Sequence, residues 1–228
     1  LLIITIAIFI YRYIRRRQRI VLNEAEEKER KRIAADLHDN IGAYASAISY
    51  GIDDMESRKL ISDAASLQSL KANAAEIISS LRDTIWAFNK ESITLTGITD
   101  RLRTYLQKIQ PLYPNIKISI EENINGNKKL SPVQALHIFR IVQEAIHNAF
   151  AHSGGDTVMV YVSFDNGIIH ISVEDNGTGF NPAEKINAGN RLSNMKIRAA
   201  EAGYTLTFAT PGTKGTIVSI TSKAGKNN

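Results

Sequence analysis

Two stretches of the chain repeat apolar residues at alternating spacings of three and four, and that pattern limits the fold more than any other feature. In the first, Ala34, Leu37, Ile41, Tyr44, Ile48 and Met55 fall on one line, with Gly51 holding the place between the last two. In the second, Leu67, Leu70, Ala74, Ile77, Leu81, Thr84 and Phe88 do the same. Such spacing is the seam of a helix packed against partner helices. A short break over residues 57–60 makes the two helices a hairpin. Neither helix can bury its stripe within a single hairpin of this size, so the economical expectation is a homodimer with a four-helix bundle. His38 stands one step past Leu37, flanking the seam and partly open to water. An imidazole there titrates near neutral pH and can act as a nucleophile, and Asp39 beside it can orient or deprotonate it. On this stretch alone, a surface histidine of an amphipathic helix is an equally simple reading.

The 228 residues suffice for one ordinary domain and a smaller one. A hydrophobic content of 43% with 22% charged residues is that of a globular chain, which excludes wholesale disorder. The absence of cysteine removes disulfides and thiolate metal sites, as suits a reducing cytosol. The net charge of +5 points to no nucleic-acid face, because Arg12, Arg15, Arg16, Arg17 and Arg19 cluster at one end, directly after an apolar run. That run, residues 1–11, is too short to cross a bilayer, which takes roughly 20 residues. Positive charges follow it, whereas a secretory signal peptide would carry them in front. The expectation is the last half of a transmembrane helix, residues 1–14, that starts upstream of residue 1. Basic residues after such a helix mark the cytoplasmic side, and Tyr11 and Tyr13 suit the interface, so the chain from about residue 15 onward is expected in the cytoplasm, at the cell's inner (cytoplasmic) membrane.

From residue 14 to about 57 there is no proline, and Glu24–Lys28 and Glu27–Lys31 are helix-supporting pairs. This part reads as a solvated helix that connects the membrane end to His38. Residues 89–97 break the helical pattern and mark a domain boundary, and a mixed α and β texture follows. A helix over 98–110 ends before Pro111, and residues 116–120 alternate as a strand does. Ser131 and Pro132, as N-cap and first helical residue, open a helix through Phe150. Strands are expected over 157–164, 168–173, 205–209 and 215–221, with a helix over 191–202. Asp165-Asn166-Gly167 is a hairpin turn between the first two. An antiparallel sheet with helices on one face makes an α+β layered sandwich. The tail from residue 223 is expected to fray.

Three pieces of this second half carry chemistry. Glu144 and Asn148 are four apart on the long helix and share a face. A carboxylate and an amide oxygen are ligands of the type Mg²⁺ takes, with water and phosphate supplying the rest. Asp175-Asn176-Gly177-Thr178-Gly179-Phe180 ends a strand with an acid and two glycines. Glycines there let the backbone approach a ligand, and successive amide N–H groups can cradle phosphate. Asp175 can accept a hydrogen bond from an exocyclic amine such as that of adenine. Gly215-Thr216 then starts the last strand with a hydroxyl able to support the same pocket. Taken singly each piece is weak: an Asn-Gly-x-Gly is most often a turn, and a Glu and an Asn on a helix are most often solvated.

Their order, together with the histidine helix, resembles the sensor histidine kinases, in particular the subfamily whose phospho-acceptor helix reads Leu-His-Asp and whose partners carry helix-turn-helix output domains. Residues 29–42 look like the histidine box of that family, 140–149 like its N box, 175–180 like its first glycine box, and 189–199 like its second. The resemblance implies a dimeric helical hairpin over residues 15–92 and an α/β two-layer ATP-binding domain of Bergerat (GHKL) type over 96–222. It implies Asn148 on Mg²⁺, Asp175 on the adenine amine, Gly177 and Gly179 shaping the nucleotide loop, Thr216 supporting the base, and Glu144 as the N-box acid. His38 is implied as the acceptor of the γ-phosphoryl group of ATP with Asp39 as base, passing the group to an aspartate of a response regulator receiver domain. His152 is placed to reach the phosphates, and Gly189, Arg191 and Gly215 belong to the same binding segments. His137 and His170 read as structural.

The chain departs from the family pattern at two positions. Members with strong phosphatase activity carry Gln four residues after the Asp of Leu-His-Asp, where this chain has Ala43, which cannot orient a water. Arg191 stands where the second glycine box usually has Gly, and either contacts phosphate or narrows the lid. The rival from another class is a nucleotide-binding scaffold that signals by conformation. Another ATPase of the same pocket class, a chaperone or mismatch-repair type, has no need of the histidine-bearing hairpin.

Overall fold

The computed structural model of the chain describes residues 64–179, 190–210 and 214–222 without a break, and before them 4–6, 8–18, 20–21, 28, 48, 50–53 and 55. It divides into two compact units, Leu1–Glu91 and Ser92–Asn228. His38, Asp39 and Ala43, most of the first seam, the expected break at 57–60 and the expected frayed tail lie outside the described residues.

In the first unit, all described positions before residue 64 are helical. The long helix α1 spans Ala64–Phe88. Among the described residues, no helix is long and apolar enough to cross a membrane. Ile52, Leu67 and Ala74 are buried together. Lys71 Nζ lies 2.8 Å from Asp53 Oδ1 beside them. The seam of α1 is thus divided within one chain: Leu67 and Ala74 are covered, whereas Leu70 is 45% and Ile77 52% exposed. Ile48 and Met55 are likewise exposed, at 55% and 45%. The expected line ran through Gly51, yet the apolar contact is made by Ile52. Glycine has no side chain to bury, and its neighbour supplies the surface instead.

The second unit begins with a two-residue strand, β1 (Ile93–Thr94), and helix α2 (Leu95–Ile109). The helix starts one turn earlier than its apolar pattern predicts because Thr94 caps it, the Gly97 N–H donating to Thr94 Oγ1 at 3.0 Å. A 3-10 turn over Gln110–Leu112, holding Pro111, closes it. β2 (Lys117–Ile124) and β3 (Lys129–Leu130) follow, then helix α3 (Pro132–His152). As expected, Ser131 is the N-cap of α3 and Pro132 its first residue. A full capping box forms, with the Gln134 N–H on Ser131 Oγ and the Ser131 N–H on Gln134 Oε1. β4 (Thr157–Asp165) and β5 (Ile168–Asp175) are joined by Asn166-Gly167. Both turn residues have positive φ, 49° and 80°, as a tight primed hairpin turn demands. Helix α4 (Asn190–Ala202), β6 (Tyr204–Ala209) and β7 (Thr216–Ser222) complete the unit.

The sheet has five strands in the order β2-β4-β5-β7-β6. Its pairings are antiparallel except one: β2 lies parallel to β4, Lys117 opposite Thr157 and Ile124 opposite Phe164. The wholly antiparallel sheet expected from the sequence is therefore corrected to a mixed one. A helix intervenes between β2 and β4, and a crossover of that length permits parallel pairing, which a tight turn does not. One face of the sheet is buried at alternate positions, among them Val160, Val162, Ile169, Ile171 and Ile220. α3, with Ile138, Phe139 and Ile146 on its apolar stripe, packs against β4, β5 and β7, and α2, with Leu102, packs against α3 and β2. Each of these side chains contributes about 1.5–3 kcal/mol through removal of apolar surface from water. The result is one helical layer on one sheet face.

Candidate functional site

β5 and β7 pair so that Asp175 stands opposite Thr216 and Val173 opposite Val218, while Phe208 of β6 stands opposite Val218. Period-two alternation puts all of these on the helix-covered face. The strand ends thus offer a polar row, Asp175 and Thr216, and one register step deeper an apolar row, Val173, Val218 and Phe208. α3 passes over them with Ala145, Asn148, Ala149 and His152 at helical spacing, and α4 adds Leu192 and Met195. Between these elements is a cleft open to solvent. A mostly apolar wall with few converging polar groups is the usual build of a small-molecule site.

Asp175 is 7% exposed, buried because it continues the inward-facing row of β5. Its Oδ1 accepts the Gly177 N–H at 2.9 Å. A carboxylate has further acceptor capacity, so this group can still receive a ligand donor. The segment after it passes close to other backbone. A Cβ on Gly177 would run into the Ser153 carbonyl, and one on Gly215 into the Asp175 carbonyl. Gly215, at φ 82°, donates its N–H to the Gly177 carbonyl at 2.6 Å. Gly179, at φ 74°, lines the cleft. The Ser153 carbonyl at the end of α3 accepts the Thr178 N–H at 2.8 Å. These glycines bring the loop under the end of the helix that walls the cleft.

A divalent hard cation takes oxygen ligands and retains several waters. Among the described residues no group of three or more His, Asp or Glu is disposed to hold a metal by itself. Asn148, on the cleft wall, supplies one amide oxygen. That single donor suits an ion shared with phosphate oxygens and water, whereas Glu144, the acid of the expected pair, is not in the lining.

Residues 29–93 match the family described as Histidine kinase, and residues 133–225 match that described as Histidine kinase-, DNA gyrase B-, and HSP90-like ATPase. The chain belongs to the sensor histidine kinases. Sensor histidine kinase LiaS of Bacillus subtilis (strain 168) is 28% identical over 196 residues, which are 85% of this chain and 53% of that protein. Sensor protein VraS of Staphylococcus aureus (strain COL) is 25% identical over 203 residues, 89% of this chain and 57% of its own length. The chain thus spans about half the length of the curated relatives it matches. In fold it is similar to Acinetobacter baumannii histidine kinase AdeS, with a TM-score of 0.51 and 14% identity, over 81% of this chain and 96% of that one. It is similar also to the Erythrobacter litoralis EL346 blue-light activated histidine kinase, with a TM-score of 0.54 and 17% identity, over 81% of this chain and 60% of that one.

The cleft brings together Asn148, His152, Asp175, Gly179 and Thr216. Gly177 is buried beside the cleft, and Gly215 holds the Gly177 carbonyl. Glu144 is half-buried on α3 one turn before Asn148, and is not part of the lining. Arg191 is in the first turn of α4, with its side chain outside the described residues, as are Gly189, His38 and Asp39. His137 pairs with Glu201 of α4, Nε2 to Oε2 3.4 Å, and His170 Nδ1 lies 3.1 Å from Thr221 Oγ1. Burial pulls the His137 pKa down, with the Glu201 carboxylate opposing that shift and Arg198 and Arg140 adding to it. The apolar lining and the Ser153 carbonyl went unnoticed in the sequence. Gly154-Gly155 directly after a long helix was the available signal for the latter, since such a pair lets two backbones meet.

Proposed function

We propose that the kinase binds ATP in the cleft of its second unit, transfers the γ-phosphoryl group to His38, and passes it on to an aspartate of a response regulator. The observation that carries this reading is the pairing, in one cleft, of a buried acceptor, Asp175, with an amide and an imidazole, Asn148 and His152, on the facing helix. Asp175 accepts the exocyclic amine of adenine, which guanine, with a carbonyl in that place, does not offer. Thr216 supports the base, and Val173, Val218 and Phe208 exclude water from it. Gly177 and Gly179 leave room for the nucleotide loop. Asn148 holds Mg²⁺ through its amide oxygen, and His152, Gly189, Gly215 and Arg191 belong to the phosphate and lid segments. The ion supplies neutralisation of phosphate charge, the main requirement of phosphoryl transfer. Asp39 takes the proton from His38, whose imidazole nitrogen bonds to the γ-phosphorus as ADP leaves, and Glu144 acts as the acid of the N box.

The proposed division is a membrane-helix end over 1–14, a signalling helix with the dimerisation and phosphotransfer hairpin over 15–92, and the ATP-binding domain over 96–222. Exposed Ile4, Ile6, Ile8, Phe9 and Ile10 followed by an arginine cluster support a membrane location for the first segment. The exposed seam residues Ile48, Met55, Leu70 and Ile77 support a homodimer.

The test is autophosphorylation with γ-labelled ATP and Mg²⁺ beside His38→Gln and Asn148→Ala. An acid-labile, base-stable label that is lost in both variants is the expected result. ATP binding without any label would instead favour the scaffold.

A further inference from the structure

Next to Asp175, one side chain that does not line the cleft is engaged elsewhere. Asn176 Oδ1 accepts the N–H groups of Asp156 and Thr157 at 3.0 and 3.1 Å, and its Nδ2 donates to Asp156 Oδ1 at 2.8 Å. Both acceptor sites of the amide oxygen are filled by these bonds. The Asn176 N–H donates in turn to the Thr157 carbonyl at 3.3 Å. Gly155 packs so closely that a Cβ there would run into the amide oxygen of Asn176. Its own N–H donates to Ser153 Oγ at 3.0 Å. The loop leaving α3 and the loop leaving β5 are therefore clasped, and Asn176 is the side chain that closes the clasp.

Asn176 is also the central residue of the turn in which Asp175 Oδ1 receives the Gly177 N–H. Any tilt of its peptide moves both ends of that bond. Glycines flank the clasp on both sides, at 154, 155, 177 and 179, and their backbone has little preference to hold the geometry by itself.

We infer that Asn176 is a positioning residue for base recognition, acting through Asp175 and the Gly177 N–H rather than by contact with the nucleotide. This rests on the ATP reading above. The carboxylate distinguishes adenine from guanine only while its free acceptor direction is fixed relative to the cleft wall. A base held by a rotated carboxylate loses that discrimination before it loses its apolar contacts.

The experiment is titration of the full chain with ATP and GTP, for the native protein, Asn176→Ala, Asn176→Asp, and the exchange Asn176→Asp with Asp156→Asn. Thermal unfolding of each accompanies it. For Asn176→Ala, ATP affinity is expected to fall about tenfold, the scale of the net loss of one or two hydrogen bonds, and the ATP-to-GTP preference to fall with it. Asn176→Asp sets two carboxylates against each other and does the same. The exchange reverses donor and acceptor across one bond, and is expected to restore both affinity and preference. A preference that stays at the native value in Asn176→Ala overturns the inference, as does an exchange that recovers the unfolding midpoint but not the preference. If the native chain binds no ATP, the function itself is overturned; native binding with unaltered preference in the variants removes this inference alone.

Discussion

Asp175 is both buried and partly satisfied, and that combination decides how it can be tested. Its Oδ1 already serves the Gly177 N–H, so Asp175→Asn can keep that bond while presenting an amide N–H₂ where a carboxylate oxygen stood. A donor then faces the adenine amine, another donor. ATP affinity is expected to fall about 10- to 100-fold, the consequence of an unpaired polar contact of roughly 1–3 kcal/mol, with little change in unfolding midpoint. Displacement of a fluorescent nucleotide measures it. Unchanged affinity would mean that the base sits elsewhere.

Helix α3 ties together most of the second unit, since it covers the sheet and walls the cleft. Its start depends on Ser131, whose hydroxyl and backbone share a reciprocal pair of bonds with Gln134. Ser131→Ala is expected to lower stability by about 1 kcal/mol, read from denaturant unfolding, without altering ATP affinity, because Asn148 is several turns away. The contact of α3 with α4 is expected to respond to pH. Burial holds the His137 pKa below its ordinary 6.5. As pH falls below that value the unfolded chain takes up a proton that the native state resists. Stability contributed by neutral His137 is thus complete above about pH 6.5 and declines as pH falls toward the depressed folded value. His137→Gln is expected to flatten that slope in denaturant titrations at successive pH values.

For the assembled molecule the informative residues are the apolar ones that a single chain leaves in water. Leu70 and Ile77 alternate with buried Leu67 and Ala74 along one helix, as a helix does when it serves two neighbours. If a second copy covers them, the chain sediments as a dimer. Ile77→Asp then places an unpaired carboxylate in the bundle, a cost of several kcal/mol, and is expected to shift the population to monomer. A native chain that sediments as monomer would remove the four-helix bundle from the account.

What could be read from the sequence was what neighbouring residues decide among themselves. Helical seams, the Ser131 cap, the Asn166-Gly167 turn and the order of the glycine segments all depend on contacts a few positions apart, and a linear chain displays them. The mixed α and β character and the family resemblance followed from those. The parallel pairing of β2 with β4 was not legible, because strand direction depends on which distant strand lies beside it after a crossover. Nor was the early start of α2, where Thr94 competes successfully with the apolar pattern. The cleft shows the same division. Asp175, Asn148 and Thr216 carry recognisable chemistry in recognisable places, whereas Phe208, Met195 and Val218 are ordinary apolar residues until register aligns them. Asn176 looked like one residue of a turn, and only the approach of the loop after α3 reveals what its amide holds. Local hydrogen bonding and periodicity are properties of short segments; register, lining and clasp arise only when segments remote in the chain exclude water together.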